Sequence, residues 1–165
     1  MTEPTPNGNA RTSGKQRART LPGQRWVNLL VRGLLRTPGL CRIIGRRLVT
    51  VHVVGRTSGQ RYPVPVAYVR QGEDLLIGTS FAWGRNLRSG DVVTTRLKGK
   101  LLQVEVQAFA DEADVVAAYA RMARANPAFA RFNNVRLAPD GEPDTGDLRL
   151  AWRGGARAIR LRPQP

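Results

Sequence analysis

A chain of 165 residues with 27 Lys and Arg against 12 Asp and Glu, a formal charge of +15, is long enough for one domain with a useful core and basic enough to attract polyanions. One cysteine and one histidine exclude an internal disulfide framework and a His/Cys metal cluster, and any Cys–His dyad or Ser-His-Asp triad would have to use Cys41 or His52. No stretch approaches the roughly 18 apolar residues of a spanning helix, and residues 1–25 lack a signal-like apolar run, so a cytoplasmic protein is expected.

The charge is uneven. Residues 1–61 hold 12 Lys and Arg and a single acid, Glu3. Met1–Pro22, rich in Thr, Pro, Gly, Asn and Arg, reads as a disordered basic tail, and 23–165 as one domain. Trp26, Leu29, Leu30, Gly33 and Leu34 recur at helical spacing among Arg25, Arg32 and Arg36 until Thr37-Pro38-Gly39 ends the run. Leu40–Leu48 sets Leu40, Ile43, Ile44 and Leu48 against Arg42, Arg46 and Arg47. Such basic amphipathic helices either pack on the core or lie on an anionic membrane surface, which would make the protein peripheral to the inner face of a membrane.

Strands are predicted at Leu48–Val54, Tyr62–Arg70, Asp74–Thr79, Val92–Leu97 and Leu101–Phe109. Gln71-Gly72-Glu73 and Lys98-Gly99-Lys100 are tight hairpin connections, so these strands are antiparallel neighbours. Asp111 is the expected cap of a helix, Glu112–Ala125, with Val115, Tyr119 and Met122 on one face; Asn126-Pro127 ends it, and a short turn follows at Ala128–Phe132. Asn133–Asp147 reads as an acidic loop. Leu148–Trp152 and Ala156–Arg162 are predicted as a last hairpin around Arg153-Gly154-Gly155. Seven strands and few helices suggest a mainly β, α+β protein built on a small antiparallel barrel.

Catalytic constellations are missing, and the acids serve as caps or cluster in a loop, so catalysis would fall to a bound cofactor. Cys41 reads as a buried apolar residue and His52 as a structural one. Two stretches offer what a cofactor needs. The loop from Gly55 to Arg61 collects Arg56, Thr57, Ser58, Gln60 and Arg61 between two strands, a setting that gathers amides, hydroxyls and guanidinium groups around an anion. Thr79-Ser80-Phe81-Ala82-Trp83-Gly84-Arg85-Asn86-Leu87-Arg88 leaves a strand with two hydroxyls, two aromatic rings, an amide and two arginines. Trp83 stands evenly between stacking on a planar ring and packing in the core.

Gly55-Arg56-x-Ser58-Gly59 followed by Pro65, then a strand ending at Ser80, then Trp83-x-x-Asn86-Leu87, resembles the deazaflavin (coenzyme F420)-dependent nitroreductase-like oxidoreductases of actinobacteria. The resemblance spans about Leu21–Phe132. It implies the split antiparallel β-barrel of the FMN-binding, pyridoxamine-phosphate-oxidase type with N-terminal amphipathic helices. The Arg56, Ser58, Gln60 and Arg61 loop would then hold the cofactor phosphate while surrounding arginines attract its acidic tail. The deazaflavin ring would lie in the barrel groove near Ser80, Trp83 and Asn86, and Thr57, Pro65, Thr79, Arg85 and Leu87 complete the implied cofactor-binding set. The implied reaction passes a hydride from the reduced cofactor to an electron-poor acceptor such as a quinone, enone or nitro compound. No catalytic side chain is assigned.

Three positions depart from the family pattern. Phe81 stands where many members have a lysine, Ser80 and Trp83 are only three apart, and Phe129 and Phe132 stand where nitro-reducing members have tyrosines. Two other readings remain: an FMN- or haem-binding barrel without this activity, and a basic adaptor for membrane or nucleic acid, although no nucleic-acid reading motif is present. The protein is expected as a monomer or a homodimer.

Overall fold

The computed structural model describes residues 47–165. The expected tail, Met1–Pro22, the helical segments before position 47 and Cys41 lie outside the described residues. Six antiparallel strands form a closed barrel in the order β1-β2-β3-β6-β5-β4: β1 Leu48–Val54, β2 Arg61–Gln71, β3 Asp74–Thr79, β4 Val92–Leu97, β5 Lys100–Phe109 and β6 Arg157–Pro163. Three helices, α1 Glu112–Ala125, α2 Pro127–Phe132 and α3 Thr145–Arg153, stand between β5 and β6. The architecture is α+β, as the sequence predicts.

Strands β1, β2, β4 and β5 follow from alternation. Val49, Val51 and Val53 point inward from β1 and are fully buried with Leu75, Ile77, Val104, Val106, Ile159 and Leu161. Their neighbours Thr50 and His52 are only half-buried on the outer wall. The Lys98-Gly99 turn has φ of 48° and 84° at its two central residues, the left-handed pair that matches the twist of a two-residue hairpin.

β3 and β6 are covered on both sides. Inside is the barrel core; outside, Leu76 and Ala158 pack with Val115, Tyr119, Met122, Phe129 and Leu148 of the helical layer. Burial on both faces explains the unbroken Leu75-Leu76-Ile77 run. Gly78 belongs to this contact, since a Cβ there would stand 2.9 Å from both Met122 Cε and Phe129 Cζ. Asp111 occupies the position before α1, but its side chain caps no amide.

The predicted last hairpin is overturned, and with it the seventh strand. Leu148–Trp152 lies within α3. Asp144 caps this helix by accepting from the Asp147 amide at 2.8 Å. At the other end, Gly155 adopts φ 90°, its N–H donates to the Trp152 carbonyl, and the Ala156 N–H reaches the Ala151 carbonyl at 3.1 Å. This is a Schellman ending, and it needs the glycine. The barrel closes without a seventh strand because β6 pairs with both β3 and β5.

Candidate functional site

Strand direction brings the two predicted stretches together. With every neighbour antiparallel, the C-terminal ends of β1, β3 and β5 and the N-terminal ends of β2, β4 and β6 share one mouth of the barrel. The Gly55–Gln60 loop joins β1 to β2 at that mouth, and the segment from Ser80 to Asp91 joins β3 to β4 there. Arg157 is at the same level, opposite Thr79 in the register.

The loop is a compact turn. Gly55 N–H donates to the Gln60 carbonyl and Gly59 N–H to the Gly55 carbonyl, both at 2.8 Å. Gly59 has φ 64°, a conformation that glycine takes without strain. Arg56, Thr57 and Ser58 are exposed, and their backbone N–H groups have no acceptor among the described residues. Successive amides left open in this way favour an anion.

Tyr62, which sequence reasoning treated only as a strand residue, holds the loop. Its hydroxyl lies 2.9 Å from Ser58 Oγ and donates to Gln60 Oε1 at 3.2 Å, while its ring packs against the barrel core. Ser58 and Gln60 stand in the turn and Tyr62 is the second residue of β2, so their meeting depends on the turn's geometry and not on a strand pattern.

The second stretch divides into interior and surface. Thr79 is buried and accepts from the Phe81 amide at 3.1 Å. A one-turn 3₁₀ helix, Ala82–Asn86, then drives Trp83 and Leu87 into the barrel core. Trp83 is 8% exposed, so its ring packs in the core, and its Nε1 has no partner among the described residues. Ser80 and Arg85 are exposed and Asn86 half-buried. Arg85 Nη2 comes within 4.0 Å of the space a Cβ on Gly155 would fill, so the β3–β4 connection touches the turn before β6. Pro65 is not at the mouth: it faces outward along β2, opposite Thr50.

The mouth is basic. Arg56, Arg61, Arg85, Arg88 and Arg157 form no ion pair with a described carboxylate, and the same holds for Arg70, Arg96, Lys98 and Lys100 toward the other end of the barrel, whereas in the helical layer Arg124 pairs with Glu142, Arg136 with Asp147 and Arg149 with Glu112. The nearby Asp91 carboxylate instead accepts the Arg88 backbone amide at 2.8 Å. Unpaired guanidinium groups beside open amides suit a phosphate or carboxylate group.

No family model matches the chain, and no curated protein matches it. Among solved structures, it is similar to an F420-H2 dependent reductase (FDR-A), at 16% identity over 71% of this chain and 95% of that one, with a TM-score of 0.46. A structure described as a domain-swapped dimer matches at 15% identity over 84% of this chain and 98% of that one, TM-score 0.47. An F420 reductase matches at 16% identity over 78% and 96%, TM-score 0.42.

The positions that depart from the resembled pattern have definite places. Phe81 is half-buried against the barrel core. Phe129 is buried edge-to-face on Tyr119, with ring centroids 5.1 Å apart, and Phe132 is 42% exposed. Neither offers a proton. Among the described residues there is no group of three or more His, Cys, Asp or Glu side chains suited to a metal, and no helix is long and apolar enough to cross a membrane. A polar cleft of about 380 Å³, lined in part by Ser89, Gly90, Arg160 and Arg162, opens on the outer wall of β5 and β6. Arg160 and Arg162 there already face Asp74, so the cleft offers an anion less than the mouth does.

Proposed function

We propose that the basic mouth binds coenzyme F420 and that the protein is a deazaflavin-dependent reductase of small electron-poor acceptors. The observation that carries this reading is the placement at one end of the barrel of five arginines without an ion pair, and three amides without an acceptor, among the described residues. That arrangement suits the phosphodiester and acidic tail of the coenzyme, and the motif resemblance adds the cofactor class.

In this reading Arg56, Arg61 and the amides of Arg56, Thr57 and Ser58 hold the phosphodiester. Arg85, Arg88 and Arg157 attract the acidic tail, Arg85 standing in for the lysine replaced by Phe81. The ring rests outside the plug made by Trp83 and Leu87, near Ser80 and Asn86. When bound and reduced, the coenzyme supplies the hydride. The chain supplies orientation and charge, and with Phe129 and Phe132 in place of phenols, solvent supplies the proton. A quinone, enone or nitro compound fits such a donor. FMN, which has one phosphate and no acidic tail, uses fewer of these arginines. The basic amphipathic pattern of residues 23–46 would add association with an anionic membrane surface.

Titrating the purified protein with oxidised coenzyme F420 and with FMN, at low and high salt, tests the reading. The expected result is tighter binding of F420, weakened by salt and weakened about 10- to 100-fold by Arg56→Ala or Arg61→Ala. Absence of F420 binding at low salt, or tighter binding of FMN, contradicts it.

A further inference from the structure

We infer that Tyr62 is the positioning residue of this site: it turns the Gln60 side chain so that its NH₂ edge, not its carbonyl, faces the cofactor phosphodiester. The inference rests on the reading above for the identity of the anion, while its geometry stands on the loop itself.

Three hydrogen bonds close a ring. The Gln60 N–H donates to Ser58 Oγ at 3.3 Å, and Tyr62 Oη donates to Gln60 Oε1 at 3.2 Å. A phenol has one proton. Because it is spent on Gln60, the 2.9 Å contact between Ser58 Oγ and Tyr62 Oη must have Ser58 donating. The bonds then run in one sense, from the Gln60 amide to Ser58, to Tyr62 and back to the Gln60 side chain, an arrangement in which each bond polarises the next.

Two chemical consequences follow. The Ser58 proton is committed within the ring, so this hydroxyl is a brace for the loop and not a donor to the anion. The Gln60 carbonyl is also committed, and Nε2 has no acceptor among the described residues, in the same loop that carries Arg56 and Arg61. A free glutamine on an exposed loop would present either edge, and its carbonyl would repel a phosphate. The fixed point of the ring is the Tyr62 ring, packed on the barrel core, whereas Ser58 and Gln60 are exposed. Gly55 leaves room for the arrangement: a Cβ there would stand 2.6 Å from Ser58 Oγ and 2.9 Å from Tyr62 Cε2.

The test compares wild type, Tyr62→Phe, Gln60→Ala and the double variant, each titrated with coenzyme F420, with the deazaflavin riboside that lacks the phosphodiester, and with inorganic pyrophosphate while the Gln60 side-chain amide is followed by NMR. Tyr62→Phe is expected to weaken F420 about three- to tenfold, leave the riboside unchanged, and abolish the pyrophosphate response at Gln60. The double variant is expected to match Gln60→Ala alone, because Tyr62 acts through Gln60. Equal F420 affinity in wild type and Tyr62→Phe, additive losses in the double variant, or an equal loss for the riboside overturns the inference. If wild type shows the pyrophosphate response but does not bind F420, the cofactor reading fails and the positioning role stands. If it responds to neither, both fail.

Discussion

Thr79 and Gly84 fit together as a methyl against a bare backbone: the space a Cβ on Gly84 would take is already filled by Thr79 Cγ2. This contact lets the 3₁₀ turn fold back over the end of β3 and seat Trp83 and Leu87 in the barrel. Gly84→Ala is therefore expected to destabilise the protein by about 1–3 kcal/mol, the usual cost of overpacking. The double variant with Thr79→Ser, which removes the opposing methyl, recovers part of that loss in denaturant unfolding.

Tyr119 makes a less intuitive prediction. It is fully buried, and its hydroxyl has no partner among the described residues. Tyr119→Phe removes an unsatisfied polar atom, so its stability at neutral pH is expected to stay within about 1 kcal/mol of wild type or to rise. Burial pushes the phenol well above its ordinary value near 10. Above pH 10 the unfolded chain loses this proton first, so the folded state, which keeps it, loses stability as pH rises. Thermal midpoints should therefore fall more steeply above pH 10 in wild type than in Tyr119→Phe.

The loop before α3 responds to acid in the opposite sense. The Arg136 guanidinium and backbone amide hold the Asp147 carboxyl below its ordinary value, with Nε to Oδ2 at 2.8 Å. The ionised form is thus favoured in the folded state. Its contribution is present above the ordinary value of 3.8 and is lost as pH falls through the lower folded value. Asp147→Asn should flatten the decline in thermal midpoint between about pH 5 and pH 2.

Trp152 ties α3 to the rest of the fold by donating its indole N–H to the Ala110 carbonyl at 2.9 Å. Trp152→Phe keeps most of the apolar contact and loses this bond, for an expected cost of about 0.5–1.5 kcal/mol. Hydrogen exchange should show the loss concentrated in α3 and at the start of α1.

The same tryptophan shows where sequence reasoning stopped. Strands β1, β2, β4 and β5 were legible because one face is buried and one solvated, as at Val49, Val51 and Val53 against Thr50 and His52, and β3 as a short apolar run between turns. Leu148, Leu150 and Trp152 imitate that alternation. In α3, however, Leu148 is buried and Leu150 is 62% exposed, which a two-sided strand pattern does not give. The deciding signals were local: Asp144 three residues before Asp147, and Gly154-Gly155 after Arg153. The site was legible in part. Its two stretches were visible as motifs, but their meeting at one mouth depends on strand direction around a closed barrel. The role of Tyr62 depends on which atom donates to which.

The most direct test of the central claim is hydrogen–deuterium exchange on the full chain with and without oxidised coenzyme F420. The account predicts protection of the Gly55–Arg61 loop together with the segment from Ser80 to Asp91, and none at the Gly72-Glu73 and Lys98-Gly99 turns at the opposite end of the barrel. Protection at those distal turns, or at neither end, would contradict it.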